Sequence, residues 1–406
     1  MLFIIDKNVF INFGYLRSII YDLRDTYAEL LWLDAEATKT LKKLIKKGFK
    51  SLNTQEKNFI KHLSKLIDVD IEKNKIEPYY VYLQNKPIKI SFSWIEITSR
   101  CNLQCKHCYA DSKKIGKDLD IKSFKHILNE LSKTRIRNIQ LTGGEPYMNP
   151  LLNNFIKIAI EKGFKLEIFS NLTLINDKDI EFLKKYKNSV SIACSILGNE
   201  KNMDKITGIK GSYKKFMSVL HKIKKNHIPF RICTVLTKYN YDFKYTELSD
   251  NIRKTHLRLT GRADLNLINK EILLKKLITK ETFRKKIKSF YIRERFYKHN
   301  CFGYKIYISV DMNIYPCVME RRIVYGNLSK ETLAKILEKN KEYLFLTKDR
   351  INTCKDCEFK YACFDCRPDS LDKDFFEKPW YCTYNPYKGS FLDKEEFINK
   401  ILNRKI

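Results

Sequence analysis

The 406-residue sequence is short of several things. It has only 13 Gly and 9 Pro, too few for a fibrous repeat or a linker-dominated disordered chain. No apolar run reaches the roughly 18 residues that a membrane-spanning helix needs. The start, Met1-Leu2-Phe3-Ile4-Ile5, meets Asp6 and Lys7 at once. It lacks the basic region, apolar stretch and small-residue cleavage site of a signal peptide, so a cytoplasmic protein without membrane segments is expected. Acidic residues are the minority, 47 against 78 Lys and Arg, for a formal charge of +31. Such a surface attracts polyanions, whether RNA, DNA or acidic peptides. The lysines are spread over nearly every segment and no aromatic-interleaved basic stripe stands out, so nucleic acid is not the expected partner. Charge alone decides nothing here.

Cysteine is absent before residue 101 and then abundant. Three lie within 101–108, two stand alone at 194 and 233, and seven fall between 301 and 382. Twelve cysteines without an export signal argue against a disulfide framework and for metal or cluster binding. Cys194 and Cys233 sit inside expected strands and read as small core residues.

Residues 1–88 read as a small α+β unit. Apolar and β-branched stretches (2–11 and 18–23) precede two helices, one over 35–48 and one from Asn53, where Asn53 and Glu56 have capping-box spacing. From 89 to 265 strands and helices alternate. The strands are 89–98, 138–141, 166–169, 190–195, 230–236 and 257–260, and Asp120 and Ser212 stand as helix caps. Repeated βα units imply parallel strands with helices outside. Six strands are too few for a full eight-stranded barrel, so an α/β partial (β/α)6 barrel is expected. A basic helical connector over 266–300 leads to a cysteine-rich C-terminal domain, 301–406, ending in a helix.

Polar, Gly-rich elements follow the first three strands of the repeat, at the carboxyl edge where α/β folds bind ligands. The first is Cys101-Asn102-Leu103-Gln104-Cys105-Lys106-His107-Cys108-Tyr109. Its C-x3-C-x2-C spacing supplies three corners of a cubane cluster and leaves one iron open. Zinc with His107 as a fourth ligand is the alternative, although His107 lies between two of the cysteines it would have to join.

At these residues the sequence resembles the radical SAM superfamily, over about 89–263. Leu141-Thr142-Gly143-Gly144-Glu145-Pro146, after the second strand, looks like that family's GGEP motif. The resemblance implies a [4Fe-4S] cluster on Cys101, Cys105 and Cys108 that chelates S-adenosylmethionine and cleaves it to a hydrogen-abstracting 5′-deoxyadenosyl radical. Gly143, Gly144 and Pro146 would shape the cofactor site, and Glu145 would accept hydrogen bonds from the methionine ammonium. Ser170 and Asn171 match the family's ribose-side pair, and Ser195 stands where a serine often contacts the cofactor. Thr237, Asn240 and Gly261-Arg262-Ala263 echo the family without a firm role.

The C-terminal set is Cys301, Cys317, Cys354, Cys357, Cys363, Cys366 and Cys382. Two CxxC pairs suit a zinc ribbon, but seven cysteines suit two sites better. The set resembles a SPASM domain, with Gly326-Asn327 in register. Two positions depart from the pattern. Two residues rather than three separate Cys363 from Cys366, and Met312 replaces a glycine. The resemblance implies one auxiliary cluster on Cys354, Cys357, Cys363 and Cys382. A second would use Cys301, Cys317 and Cys366, one ligand short, with Tyr307 where some relatives carry a cysteine and an open iron for a substrate thiolate.

SPASM proteins mostly act on peptides. The 354–367 segment resembles maturases of ribosomally made peptides, including those encoded with an ATP-grasp ligase, and residues 16–23 are compatible with that group. Residues 1–88 are weakly similar to the winged-helix leader-binding module of such systems. Val318 stands where sulfatase-maturing relatives place an Asp, leaving Glu320 and Asp365 as candidate bases. The expectation is a peptide maturase that forms a thioether or other crosslink, served by flavodoxin or ferredoxin. RNA modification and a zinc-stabilised adaptor are the alternatives.

Overall fold

Strand β5 (Phe92–Thr98) is the axis of the α/β region. Its Ile95 and Ile97 are buried, as are Ile139, Leu141, Leu166, Ile168, Val190 and Ile192 on the strands that follow. Both faces of such strands need cover, which helices between them provide. The computed structural model describes residues 2–80, 87–245, 248, 252–364, 366–370, 372 and 374–403. The chain forms two compact units. One gathers Met1–Pro87, Leu277–Asn300 and Phe345–Lys405, the other Ile88–Lys276 and Cys301–Leu344 with the last residue.

In the second unit β5 is followed by α3 (Ile121–Ser132), β6 (Asn138–Gly143), α4 (Leu152–Glu161), β7 (Lys165–Ser170), α5 (Asp177–Lys185) and β8 (Val190–Ser195). Then come α6 (Glu200–Thr207), α7 (Ser212–Lys225), β9 (Phe230–Leu236) and β10 (Arg253–His256). The six strands β5 to β10 pair in parallel in chain order. That is the partial barrel-like sheet expected.

The sheet goes further than expected. Strand β11 (Lys305–Ile308) pairs in parallel with β5, and β12 (Asn313–Tyr315) and β13 (Gly326–Asn327) extend that edge antiparallel, making nine strands. The 301–344 stretch therefore belongs to the sheet unit, and residues 345–405 belong to the other.

Several local expectations need correction. The last parallel strand is Arg253–His256 rather than 257–260. Helix α6 was not anticipated. Helix α7 is capped by Gly211, not Ser212. Asp204 serves there instead, accepting from Gly211 N (2.6 Å), Ser212 Oγ (2.7 Å) and Tyr213 N (3.0 Å). The Asp120 cap is present, accepting from Ser123 N at 2.8 Å.

The first unit opens with an antiparallel meander of β1 (Leu2–Asp6), β2 (Val9–Phe13), β3 (Ser18–Asp22) and β4 (Tyr27–Leu33). The stretch 2–11 is thus a hairpin, turned where Asn8 takes a φ of 72°. Helices α1 (Ala35–Lys47) and α2 (Thr54–Leu66) follow, and the Asn53–Glu56 capping box is formed. Leu41, Ile60 and Leu63 of the helices pack with Val9, Ile11 and Ile20 of the sheet in one core. Each such side chain stabilises the unit by about 1.5–3 kcal/mol. The expected 266–300 connector consists of short helices, Lys270–Lys276, Lys280–Arg284 and Ser289–Arg295, around a two-residue strand, 287–288, that pairs with β4.

Candidate active site

Strand β5 delivers the first cysteine loop to the carboxyl edge of the sheet. The loop is pinned on three sides. Cys101 N donates to Lys113 O (2.7 Å), Gln104 N to Thr207 O (2.9 Å) and Lys106 N to Ile206 O (2.9 Å), the last two at the end of α6. Arg262 then straps it from behind. Its backbone N–H donates to Cys108 O (3.0 Å), and its guanidinium donates to Cys105 O (2.9 Å), Ser112 O (2.9 Å) and Asp111 Oδ1 (2.9 Å).

The glycines of the second motif serve this loop. A Cβ on Gly143, whose φ is +147°, would stand 2.0 Å from Thr98 O, and one on Gly144 would stand 2.1 Å from Arg100 O. The close approach that requires glycine is therefore to the chain entering the cysteine loop. Gly144 N donates to Thr98 O (2.9 Å) and Glu145 N to Arg100 O (2.8 Å), locking the two loops together. Pro146 is buried at the start of the 3-10 turn Pro146–Met148.

Glu145 is fully buried. Its carboxylate accepts from Ser170 Oγ (2.8 Å), Asn171 N (2.7 Å) and Tyr147 N (3.2 Å). Burial nevertheless pushes its pKa up to about 7. Asn171 Nδ2 in turn donates to Asn102 Oδ1 (2.9 Å), inside the cysteine loop. Gly143, Gly144, Glu145, Ser170 and Asn171 thus form one connected set with the cysteine loop. Ser195 ends β8, half-buried, outside the hydrogen bonds described for that set.

Two of these thiols resist ionisation. Burial pushes Cys101 up to about 11, with the Glu145 and Cys108 charges adding to it. Burial also pushes Cys105 up to about 12, with Cys101 and Cys108 adding. Only Arg262 among the named charges favours the thiolates. A set of thiols that deprotonates only with difficulty alone fits a bound metal centre, which supplies the missing positive charge. The buried His107 Nδ1 has no hydrogen-bond partner, and burial pushes the ring down to about 4. Among the described residues no three His, Cys, Asp or Glu side chains close on one ion-sized point. A cubane instead spreads its thiolates over separate corners.

The first unit holds a second thiol set. The Cys357 thiol is driven up by burial and by neighbouring Glu358, Cys354, Cys382 and Cys363, and Cys382 by burial and Cys363. The four cysteines expected to share one auxiliary cluster are therefore neighbours, and they fit one. The N-terminal meander grips their loop, with Asn12 Nδ2 donating to Cys357 O (3.2 Å) and Glu358 O (2.8 Å), and Tyr21 donating to Glu358 O (2.6 Å). Cys366 is half-buried in the same unit. Cys301 and Cys317 belong to the sheet unit, and burial, with the Cys301 charge adding to it, pushes the Cys317 thiol up to about 11. All twelve cysteines are thiols, and Cys194 and Cys233 are buried in the sheet.

The two carboxylates read as bases fare differently. Glu320 is 1% exposed and held by Arg322, Nε at 2.9 Å and a terminal nitrogen at 2.6 Å. The carboxylate is thus already engaged in an ion pair with a partly exposed arginine. Asp365 lies outside the described residues. Tyr307, at the position of the extra cysteine, is buried and accepts from Arg321 at 2.7 Å, with the guanidinium 4.7 Å from its ring centre. Arg321 also lies 3.7 Å from the buried Glu96 carboxylate. Sequence reasoning missed Arg262, Asn102, Asn12 and Tyr21 as positioning residues. Only the Gly261-Arg262 pair carried a signal, a glycine–arginine step just past the last strand.

Family models match at two places. The radical SAM superfamily model covers residues 95–246, and the SPASM iron–sulfur cluster-binding domain covers 301–358. The sporulation killing factor maturation protein SkfB of Bacillus subtilis is 28% identical over 161 residues, 39% of this chain and 38% of SkfB. The chain thus matches well under half of that relative's length. The AdoMet-dependent heme synthase of Methanosarcina barkeri is 23% identical over 354 residues, 76% of this chain and 99% of that protein. The structure of Streptococcus suis SuiB bound to precursor peptide SuiA shares the fold, with a TM-score of 0.58 at 15% identity over 93% of this chain and 98% of SuiB. The chain thus carries a region that matches the radical SAM superfamily model and, after it, one that matches the SPASM domain. The residues at the cysteine loop and at the four-thiol set fit the [4Fe-4S] clusters of those domains.

Proposed function

We propose that this protein is a radical SAM enzyme that oxidatively modifies a ribosomally made precursor peptide, forming a thioether or another crosslink. The observation that carries the reading is the lock between the Cys101–Cys108 loop and the Gly143–Glu145 turn, combined with a second buried four-thiol set. When bound, the cluster and S-adenosylmethionine supply a 5′-deoxyadenosyl radical that abstracts a substrate hydrogen. The chain's own residues do the rest. Arg262 and the α6 carbonyls hold the cysteine loop in one geometry. Glu145, kept in place by Ser170 and Asn171, presents a carboxylate oxygen to a ligand ammonium. Cys301 and Cys317 in the sheet unit, and Cys366 in the other, are further candidate cluster ligands.

A peptide substrate is supported by the likeness to SkfB and by SuiB, whose structure holds its precursor peptide. The first unit supports it physically. Beyond its pairing at Tyr27 and Ala28, the outer edge of β4 borders a groove of about 390 Å3 lined by Leu30, Trp32, Phe283, Lys280, Arg284 and Lys286. An acidic leader segment would meet an open strand edge, an aromatic floor and a row of cations there. The N-terminal residues 1–88 would then be the leader-binding part of the enzyme. Flavodoxin or ferredoxin would supply electrons in a cytoplasmic setting, and an ATP-grasp ligase would act on the same peptide. No helix among the described residues is long and apolar enough to cross a membrane.

A second reading, a tetrapyrrole substrate, rests on the alignment over nearly the whole heme synthase. Anaerobic incubation of the reconstituted protein with candidate precursor peptides, read by mass spectrometry, separates the two. Loss of about two hydrogens from the peptide supports the first, and turnover of an iron porphyrin alone supports the second. Salt-dependent RNA binding with base modification would favour the RNA alternative instead.

A further inference from the structure

Most of the first cysteine loop is covered. From Cys101 to Cys108 only Gln104 and Lys106 are exposed. Lys106 lies between Cys105 and Cys108, and its ammonium stands 5.9 Å from the ring centre of Tyr239. Lys205, in the last turn of α6, stands over the same ring at 4.5 Å, and Lys238 at 5.5 Å. All three lysines are exposed, and Tyr239 is half-buried. The cysteine loop, the end of α6 and the residues after β9 thus gather three positive charges around one ring.

The ring quadrupole attracts each ammonium, but the three charges repel one another. Nothing nearby neutralises them. Among the described residues no carboxylate pairs with any of the three, and the two acids of α6 are engaged elsewhere. Asp204 is held by the start of α7, and Glu200 pairs with Lys214 at 3.2 Å. The patch is therefore a net positive surface that reaches into the cysteine loop itself.

Its place and its chemistry select the partner. A centre held by this loop takes up electrons only from a carrier that comes close, and here the loop is open to solvent. Encounters between redox proteins are small, transient and steered by charge rather than by buried apolar area. A nucleic acid would stack its bases on a bare aromatic face, whereas ammonium groups stand over Tyr239. We propose that Lys106, Lys205, Lys238 and Tyr239 form the docking surface for an acidic one-electron carrier protein of the flavodoxin or ferredoxin type. The inference rests on the reading of the loop as a cluster site and deepens it by naming where the electron enters. One electron leaves the reduced carrier and enters at the loop, and no bond forms or breaks. The lysines touch the carrier and not the substrate.

The test measures binding of purified, labelled flavodoxin and ferredoxin to the reconstituted full chain by fluorescence anisotropy at low and high salt. The parent is expected to bind at least one of them. Lys205→Glu with Lys238→Glu is expected to weaken that binding tenfold or more at low salt, the difference shrinking as salt rises. Lys205→Arg with Lys238→Arg should stay near the parent. So should Lys46→Glu with Lys61→Glu, the same change of net charge at exposed positions of α1 and α2. The rate of 5′-deoxyadenosine formation driven by the reduced carrier should fall in the first pair relative to the rate driven by dithionite, which needs no docking. Parent-like binding in the first pair, equal loss in either of the other pairs, or no binding of either carrier to the parent overturns the proposal. Loss of RNA or precursor-peptide binding in the first pair with carrier binding intact also overturns it. A parent that forms no 5′-deoxyadenosine with dithionite fails the reading of the loop itself, a result separate from carrier binding.

Discussion

Gly261 lies against Cys108 so closely that a Cβ on it would stand 2.2 Å from the Cys108 carbonyl oxygen and 2.5 Å from that of Tyr109. Its φ of +61° is itself a conformation that other residues adopt at a cost. The chain leaving the last parallel strand thus presses on the cysteine loop, and the next residue, Arg262, hydrogen-bonds along it. Two segments about 150 positions apart in sequence jointly fix the loop.

Gly261→Ala and Arg262→Gln should therefore loosen the loop. Gly261→Ala is expected to cost on the order of 1–3 kcal/mol locally and to lower iron retention at the first site. Arg262→Gln should do the same, with Arg262→Lys intermediate because it cannot span the same three side-chain acceptors. Iron per chain and the visible absorbance after desalting check this. Retention equal to the parent in both variants would contradict the strap.

Glu145→Gln should weaken S-adenosylmethionine binding about tenfold or more. The substitution keeps size but removes the charge that a ligand ammonium would face, a loss of about 1.5–3 kcal/mol for a charged hydrogen bond. Equilibrium dialysis of the reconstituted protein measures it, with Ser195→Ala as the comparison. Ser195, standing outside the Glu145 set, is expected to cost less.

Glu320→Gln should destabilise the sheet unit, because the buried carboxylate loses its charge-assisted pairing with the partly exposed Arg322, worth about 1.5–3 kcal/mol. Chemical denaturation reads this directly. Any lost turnover should track the lost fold, and normal stability with abolished turnover would return Glu320 to the role of a base.

Charge reversal in the groove beside β4, as Arg284→Glu with Lys286→Glu, should weaken binding of an acidic precursor peptide by tenfold or more at low salt. The difference should shrink as salt is raised. Fluorescence anisotropy with a labelled peptide checks it. Cluster content should not change, since these residues are exposed and are not thiols that would hold a cluster.

Ile60→Ala probes the first unit's core. Ile60 is fully buried between α2 and the meander, and its loss should cost about 2–5 kcal/mol. The shift of the unfolding midpoint is the measurement.

Much of this was legible in the sequence because it is local. The C-x3-C-x2-C spacing, the GGEP turn, the Asn53–Glu56 capping box and the hydrophobic strands of the sheet all declare themselves within a few residues. What was not legible depends on distant partners. Nothing in Lys305–Ile308 says that it will add to the edge of β5 rather than stay with the cysteines that follow. Nothing in Asn12 or Tyr21 says that they will hold the carbonyls of Cys357 and Glu358. Ser212 looked like a cap because cap preference is a one-residue rule, but Asp204 satisfies the same N–H groups from α6. Glu320 stood as a candidate base because sequence cannot reveal that Arg322 folds back onto it.

The account's central claim is radical cleavage of S-adenosylmethionine at the Cys101, Cys105 and Cys108 loop. The most direct test is anaerobic reconstitution with iron and sulfide, followed by addition of dithionite and S-adenosylmethionine and quantification of 5′-deoxyadenosine. The account predicts 5′-deoxyadenosine from the parent protein and none from Cys105→Ala, with iron still retained by that variant at the SPASM cysteines. A colourless protein that holds zinc, takes up no iron and forms no 5′-deoxyadenosine would contradict it.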